Sequence, residues 1–376
     1  MEETEGYRDK MLNEMIKKEA TRIEWLDNAK GIGIILVVIG HSLITKIKSD
    51  YFIADWAFRY IYSFHMAFFL FISGVIFSNA KERYFTYNTL DYLKKKFRSL
   101  LVPYFSYSLI IFFLFFVLKL VGGGKLASIL SGSPLACEHP IELLSYMIFG
   151  VNEQCNHLWY IYALFMLEVV SYLVEKNHKY GNICMLFLFA CLYGIKTAQN
   201  IGVIYEYPIL KSELFYNQMN NGLFFCIGSC AGKNAVEKIT KNKVVDVVFI
   251  FALFIENFLI GVNSDNCVPL LYAAFRVILV VNKSIIIFGL CRFCIEYIKK
   301  NSVVGFIGNN SMAIYMLHQP IMCTCLGILL YQFLKLPVYT AMFVMIVISI
   351  NLPVLIAWVM GKNNILKKTR SIILGQ

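Results

Sequence analysis

Charge is what this chain has least of. Only 16% of its 376 residues are Asp, Glu, Lys or Arg, against about 25% in an average soluble domain, too few to cover a water-facing surface. Proline is sparse as well, at 8 residues, and no Pro/Gly/Ser-rich linker sets off a second domain. There is no P-loop and no GxSxG motif. The 11 cysteines are scattered, mostly in apolar segments, where a small buried hydrophobe is the ordinary role. Cys291 and Cys294 form a lone CxxC, without the second pair of a zinc site. These absences exclude a secreted disulfide scaffold and a nucleic-acid-binding domain.

What is present is apolar. The chain is 58% hydrophobic and 15% aromatic, with a mean hydropathy of +0.62. The apolar runs recur at about 20 residues, the thickness of a hydrocarbon core, and not at the ~10 alternating residues of a transmembrane β-strand. The fold class is therefore all-α, a polytopic transmembrane helical bundle. Ten spans are expected, at 31–47, 58–78, 100–121, 157–175, 181–198, 214–232, 244–262, 268–290, 303–331 and 337–360.

The net charge of +11 carries less information than its placement. With the N-terminus inside, 25 Lys/Arg fall on inside segments and 7 on outside ones, so the positive-inside rule puts both termini in the cytoplasm. No signal peptide is visible in the polar residues 1–29. The expected organisation is a cytoplasmic tail at 1–29, a membrane domain at 30–360 and a second cytoplasmic tail at 361–376. The long outside segment 122–156 carries a GGG run, Pro134, Pro140 and a short helix expected at Ile141 to Phe149, the features of a lid over whatever the bundle binds.

Ionisable residues at membrane depth are costly and mark functional sites by default. The first span is the richest. Lys30 and His41 are eleven residues apart, three turns plus about 20°, which puts them on one helix face about 16 Å apart, with Asp27 on the same face. Neutral imidazole can take a proton from a hydroxyl, and a cation at the membrane edge can hold an anionic donor; a histidine bonded across helices is the plainer reading. His65 opens the second span, either beside His41 or in an aromatic belt. Lys94, Lys95, Lys96 and Arg98 precede the third span, where such a run enforces topology or meets anionic membrane lipid, or, beside an inward-opening cavity, donor phosphates.

His157, Trp159, Arg276 and His318 fall in the same half of the bundle as His41 if the topology holds. Arg276 needs a counter-charge or a substrate acceptor, and Glu256 is the partner expected at its depth. A structural ion pair, an aromatic-belt role for His157 and Trp159, and a Pro320 kink at His318 are the plainer alternatives. The four span-associated histidines lack the acidic companions of a di-metal or haem site, so no metal is expected.

Four segments now converge. WLDNAKGIGIILVVIGH (Trp25 to His41), SFHMAFFLFISG (Ser63 to Gly74), KKFRSLLVPY (Lys95 to Tyr104) and SMAIYMLHQP (Ser311 to Pro320) resemble the bacterial membrane acyltransferase family 3, and within it the stand-alone, fucose O-acetylase-like O-acetyltransferases. HLWYIYALF (His157 to Phe165) is similar to the family's Leu-Trp-Phe/Tyr segment. The resemblance covers essentially the whole chain. It implies an inner-membrane enzyme that passes acetyl or a related acyl group from cytoplasmic acyl-CoA, acetyl-CoA in the simplest case, to a sugar hydroxyl of a cell-surface glycan or a lipid-linked precursor.

The family pattern of a basic residue, ten residues and His falls on Lys30 and His41, as donor-side cation and catalytic base; the family more often has Arg at the first position. Lys95, Lys96 and Arg98 match its basic run. Many members carry a fused SGNH hydrolase-like domain, which is not expected here. The alternative class is a transporter or flippase for a lipid-linked sugar, whose two related halves the sequence does not display.

Overall fold

In the computed structural model the described residues are 23–43, 51–131, 140–148, 153–200, 213–241, 269–298 and 303–375. Among them all regular structure is helical, and six helices are long and apolar enough to cross a membrane. The expected seventh span, 244–262, lies outside the described residues.

The first helix, α1 (Glu24–Ser42), begins earlier than the expected span and ends at His41 and Ser42. It is not one of the six, because Asp27, Asn28, Lys30 and His41 dilute its apolar run. Protein takes the place of lipid around it. α1 packs on α2 (Phe52–Tyr62), α3 (His65–Phe85), α10 (Pro269–Ile298), α11 (Val303–Asn309), α12 (Ser311–Leu317) and α13 (Val338–Met360). Its Ile34, Val37 and Val38 enter one core cluster with Phe69 and Tyr160, and its Trp25, Leu26 and Ala29 enter another with Phe68 and Phe288. By contrast α13 turns Phe343, Leu355 and Trp358 outward, as a lipid-facing helix does.

The expected second span is two helices in series. At Ser63 and Phe64 the chain leaves the helix, with Phe64 at φ −141° and ψ −23°, and Ser63 Oγ donates to the Tyr60 carbonyl at 2.7 Å. α4 (Thr89–Lys96) starts on an Asn88 cap whose side chain accepts from the Asp91 N–H. It runs through a π turn at Phe97–Leu101 into α5 (Val102–Ser131). Pro103 has no N–H to offer one turn back, and the ladder widens there, the Val102 N–H reaching Phe97 O.

The short helix expected in the long outside segment is present as α6 (Pro140–Ile148). It is tied down by Tyr104 Oη to Met147 O at 3.3 Å and by Tyr162 Oη to Ile148 O at 2.8 Å. A tight turn, Glu153–Leu158, leads into α7 (Trp159–Asn177), followed by α8 (Gly181–Asn200) and α9 (Glu213–Thr240). Gly232, at φ +61°, breaks α9 where the expected span ends.

The ninth expected span, 303–331, is not one helix. After α11 and α12 it passes through wide turns at His318–Cys325 and Leu329–Phe333. Gln319 is extended at φ −123° and ψ 151°, the conformation that the following Pro320 imposes. α14 (Asn364–Leu374) closes the described chain.

Two crossings are tight enough to admit only glycine. A methyl at Gly308 would run into the Asp27 carbonyl oxygen where α11 crosses α1, and one at Gly74 into the Phe225 carbonyl oxygen where α3 crosses α9. Gly308→Ala is therefore expected to lower the thermal midpoint of the detergent-solubilised protein, by the equivalent of about 1–3 kcal/mol of overpacking; an unchanged midpoint would show that the crossing yields.

Candidate functional site

Two polar layers lie along the bundle. The first is made where helix ends of alternating direction meet: the ends of α1 and α12 and the starts of α3 and α7 bring His41, His318, His65 and His157 to one level. The His41 and His318 ring centroids are 5.1 Å apart, and those of His157 and His318 are 5.3 Å apart. Tyr62 bridges the remaining pair, with its ring 5.9 Å from His41 and 4.8 Å from His65. Its Oη lies 3.3 Å from His41 Nδ1. His65 and His318 are buried, while His41 and His157 are half-buried.

Backbone carbonyls orient three of these rings. A carbonyl can only accept, so the nitrogen facing it carries the hydrogen. His65 Nδ1 donates to Ile61 O at 2.8 Å. His318 Nδ1 faces Tyr315 O at 2.7 Å and Ile314 O at 3.2 Å. His157 Nε2 donates to Met316 O at 3.4 Å. Each ring thus keeps its other nitrogen bare as a hydrogen-bond acceptor. His41 differs, since its neighbour at Nδ1 is a hydroxyl that can donate or accept. It is the half-buried ring of the layer whose hydrogen the backbone does not fix.

Tyrosines brace the frame. Tyr315 Oη donates to the His157 carbonyl, Tyr107 Oη donates to Gln319 O at 2.6 Å, and Ser73 Oγ and Tyr160 Oη are 2.8 Å apart. Trp159, beside His157, is half-buried and packs edge-on to Tyr160. Sequence reasoning missed Tyr62, Tyr107 and Tyr315. Two of them carried a signal, because Tyr62 precedes His65 by three residues and Tyr315 precedes His318 by three, the spacing that puts side chains on one face when the chain is helical. Another surprise is Lys283 of α10. Its buried ammonium donates to Ser63 Oγ at 3.1 Å and sits 4.0 Å from the Tyr60 ring centroid and 4.7 Å from that of Phe64, which ties the α2 to α3 break to a neighbouring helix.

The second layer lies one long step along the same helices. Lys30 precedes His41 by eleven residues on α1, and Glu168 follows His157 by eleven along α7, so both stand about 16 Å from the histidines. Lys30 pairs with Asp27 at 2.7 Å and is half-buried. Lys96 is buried against Glu168 at 2.6 Å, with the Tyr84 and Tyr92 rings at 4.6 and 5.6 Å. Its charge is spent inside the protein. Lys95 and Arg98 are exposed, Lys95 donating to Tyr87 Oη at 3.2 Å.

Arg276 belongs to neither layer. Its guanidinium donates to Asn221 Oδ1 at 3.1 Å and Asn220 O at 3.4 Å, and lies near the Tyr193 and Phe224 rings, so its described partners are on α8 and α9. Glu256, expected as its counter-charge, lies outside the described residues. Among the described residues no group of three or more His, Cys, Asp or Glu is arranged to hold a metal ion.

A bare imidazole nitrogen beside hydroxyls, one helix length from a cluster of cations, is an arrangement for proton abstraction coupled to the binding of an anionic group. The acyltransferase domain of membrane acyltransferase family 3 matches residues 23–360. The chain belongs to this family. Both polar layers fall within the matched residues. Searches of curated proteins and of solved structures find no match. A membrane acyltransferase needs a base at the acceptor and a hold on the donor, and the layers supply a candidate for each.

The Lys96 to Glu168 pair generates a prediction of its own. Glu168→Ala leaves a buried ammonium uncompensated, so it is expected to destabilise the protein by about 3–5 kcal/mol. Replacing both partners by Met is expected to restore most of the loss. The check is thermal unfolding of the purified single and double variants; equal melting of Glu168→Ala and wild type would show the pair to be idle.

Proposed function

We propose that this acyltransferase moves an acetyl or closely related acyl group from cytoplasmic acyl-CoA to a sugar hydroxyl of a cell-surface glycan or its lipid-linked precursor. In this reading it resembles the fucose O-acetylase-like members and resides in a bacterial cytoplasmic membrane, crossing it ten times with both termini inside. The observation that carries it is the spacing of the two layers on one bundle, with the imidazoles at one level and Lys30 at the other, about 16 Å away. An extended acyl-pantetheine arm spans a distance of this order. It lets the phosphates of acetyl-CoA rest on cations at the membrane edge while the thioester reaches His41.

Lys30, Lys95 and Arg98 are the donor-side cations of this reading. Lys96 holds the platform from which they project, through Glu168. At the other level His41 takes the proton of the acceptor hydroxyl as its oxygen attacks the thioester carbonyl. The C–S bond then breaks, and the departing thiolate receives that proton from His41, giving the ester and free CoA thiol. Tyr62 Oη stands beside His41 Nδ1, on the side where the acceptor hydroxyl meets the ring. His65, His157, Trp159 and His318 form the wall around the acceptor.

His41→Ala is expected to lower acyl transfer by about 10²- to 10⁴-fold while leaving acetyl-CoA binding intact. The measurement is transfer of label from radiolabelled acetyl-CoA to endogenous glycan in membranes with matched protein levels. Equal transfer by wild type and variant would remove His41 from the chemistry, and a wild type without transfer would overturn the donor assignment.

A further inference from the structure

His318 carries an atom that the frame leaves without a partner. Its side chain is fully buried, with 0% of its surface exposed. Nδ1 is committed to two main-chain carbonyls of its own helix, so the hydrogen resides there and Nε2 is a bare lone pair. That Nε2 has no hydrogen-bond partner among the described residues. A buried acceptor left unmatched is costly and calls for an explanation. Nε2 stands across the ring from Nδ1, so with Nδ1 turned back to its helix the lone pair faces away from α12. The rings nearest His318 are His41 at 5.1 Å and His157 at 5.3 Å. The His157 hydrogen is already given to Met316 O, whereas His41 has no carbonyl partner among the described residues, its Nδ1 facing Tyr62 Oη.

We propose that His318 is the positioning residue of His41: its Nε2 is a fixed acceptor for the Nε2–H of the His41 ring, which leaves His41 Nδ1 bare to take the acceptor's proton. The inference rests on His41 acting as the base. A neutral imidazole has one N–H. Given to His318 Nε2, it fixes the tautomer of His41 and leaves Nδ1, which Tyr62 Oη faces at 3.3 Å, as the nitrogen that takes the proton of the acceptor hydroxyl. No proton passes to His318. The new hydrogen stays on His41 Nδ1 until the thiolate of the donor takes it. The bond to His318 is strongest while His41 is charged, because an imidazolium N–H is a charge-assisted donor, the condition under which an interaction speeds a reaction instead of tightening a ground state.

The test separates this role from a structural one. His318→Phe keeps a ring in the slot but has no acceptor, and His318→Gln restores an acceptor oxygen near the Nε2 position. With acetyl-CoA as donor and membranes supplying the glycan, kcat of His318→Phe is expected to fall on the order of 10- to 100-fold, as when a partner that orients an imidazole is lost. KM for acetyl-CoA should stay unchanged, and His318→Gln should recover part of the loss. A Phe variant as active as wild type, a Gln variant as impaired as Phe, or a change confined to KM would overturn the proposal. Solid-state NMR of ¹⁵N-histidine-labelled protein in bilayers reads the tautomer without any turnover. The resonance that disappears in His318→Phe must report Nδ1–H and a bare Nε2, and the opposite tautomer would sink the proposal by itself. If instead the tautomer is as expected and wild type transfers nothing, the failure belongs to the acyl-transfer reading.

Discussion

A helix bearing Asp27, Asn28, Lys30 and His41 can lie at membrane depth only where protein, and not lipid, surrounds it, since a charge at the centre of a bilayer costs about 2.5–3.5 kcal/mol on insertion scales and more by other reckonings. Most of the architecture answers that demand. Among the described residues six helices pack on α1, and the tightest of those crossings leaves no space beyond the glycine at Gly308. The apolar residues of α1 divide between two core clusters. The helices that meet lipid, such as α13, can then be almost uniformly apolar.

The same enclosure explains why the two polar layers differ. At the histidine level main-chain carbonyls orient three of the rings, each holding the hydrogen on one nitrogen and leaving the other an acceptor. Oriented imidazoles can be buried without a counter-charge. At the cation level Lys96 enters the interior with a carboxylate, Glu168, whereas Lys95 and Arg98, with no carboxylate partner among the described residues, stay at the surface. Burial thus sorts a single basic run into a residue that braces the bundle and residues free to meet an anion.

Much of this was legible in the sequence because it depends on period and composition. The helical class, the shared face of Lys30 and His41, the short helix before α7 and the end of α9's span at Gly232 follow from spacing and from glycine and proline chemistry. That His41, His157 and His318 fall in one half of the bundle was expected from depth, but their ring-to-ring contacts were not, because depth along a helix says nothing of rotation about it. Lys96 read as one more cation in a run, since its partner Glu168 is 72 residues away. Arg276 was expected in the same half of the bundle, with Glu256 as its partner; Glu256 lies outside the described residues, and the described partners of Arg276 are on α8 and α9. The break at Ser63 was hidden because no proline or glycine marks it. Lys283 of α10 braces it from across the bundle.

The attachment of α6 uses a particular kind of bond. Tyr104 and Tyr162 hold it by donating to the main-chain oxygens of Met147 and Ile148, and a main-chain oxygen is the same whatever side chain its residue bears. The tether is therefore blind to the identity of the residues it holds. Ile141 and Leu144, both exposed on this helix, can be exchanged for polar or aromatic residues without loosening either clasp. The surface that α6 presents can drift from one relative to the next while the helix keeps its place, so a change of face there would require no redesign of the bundle beneath it.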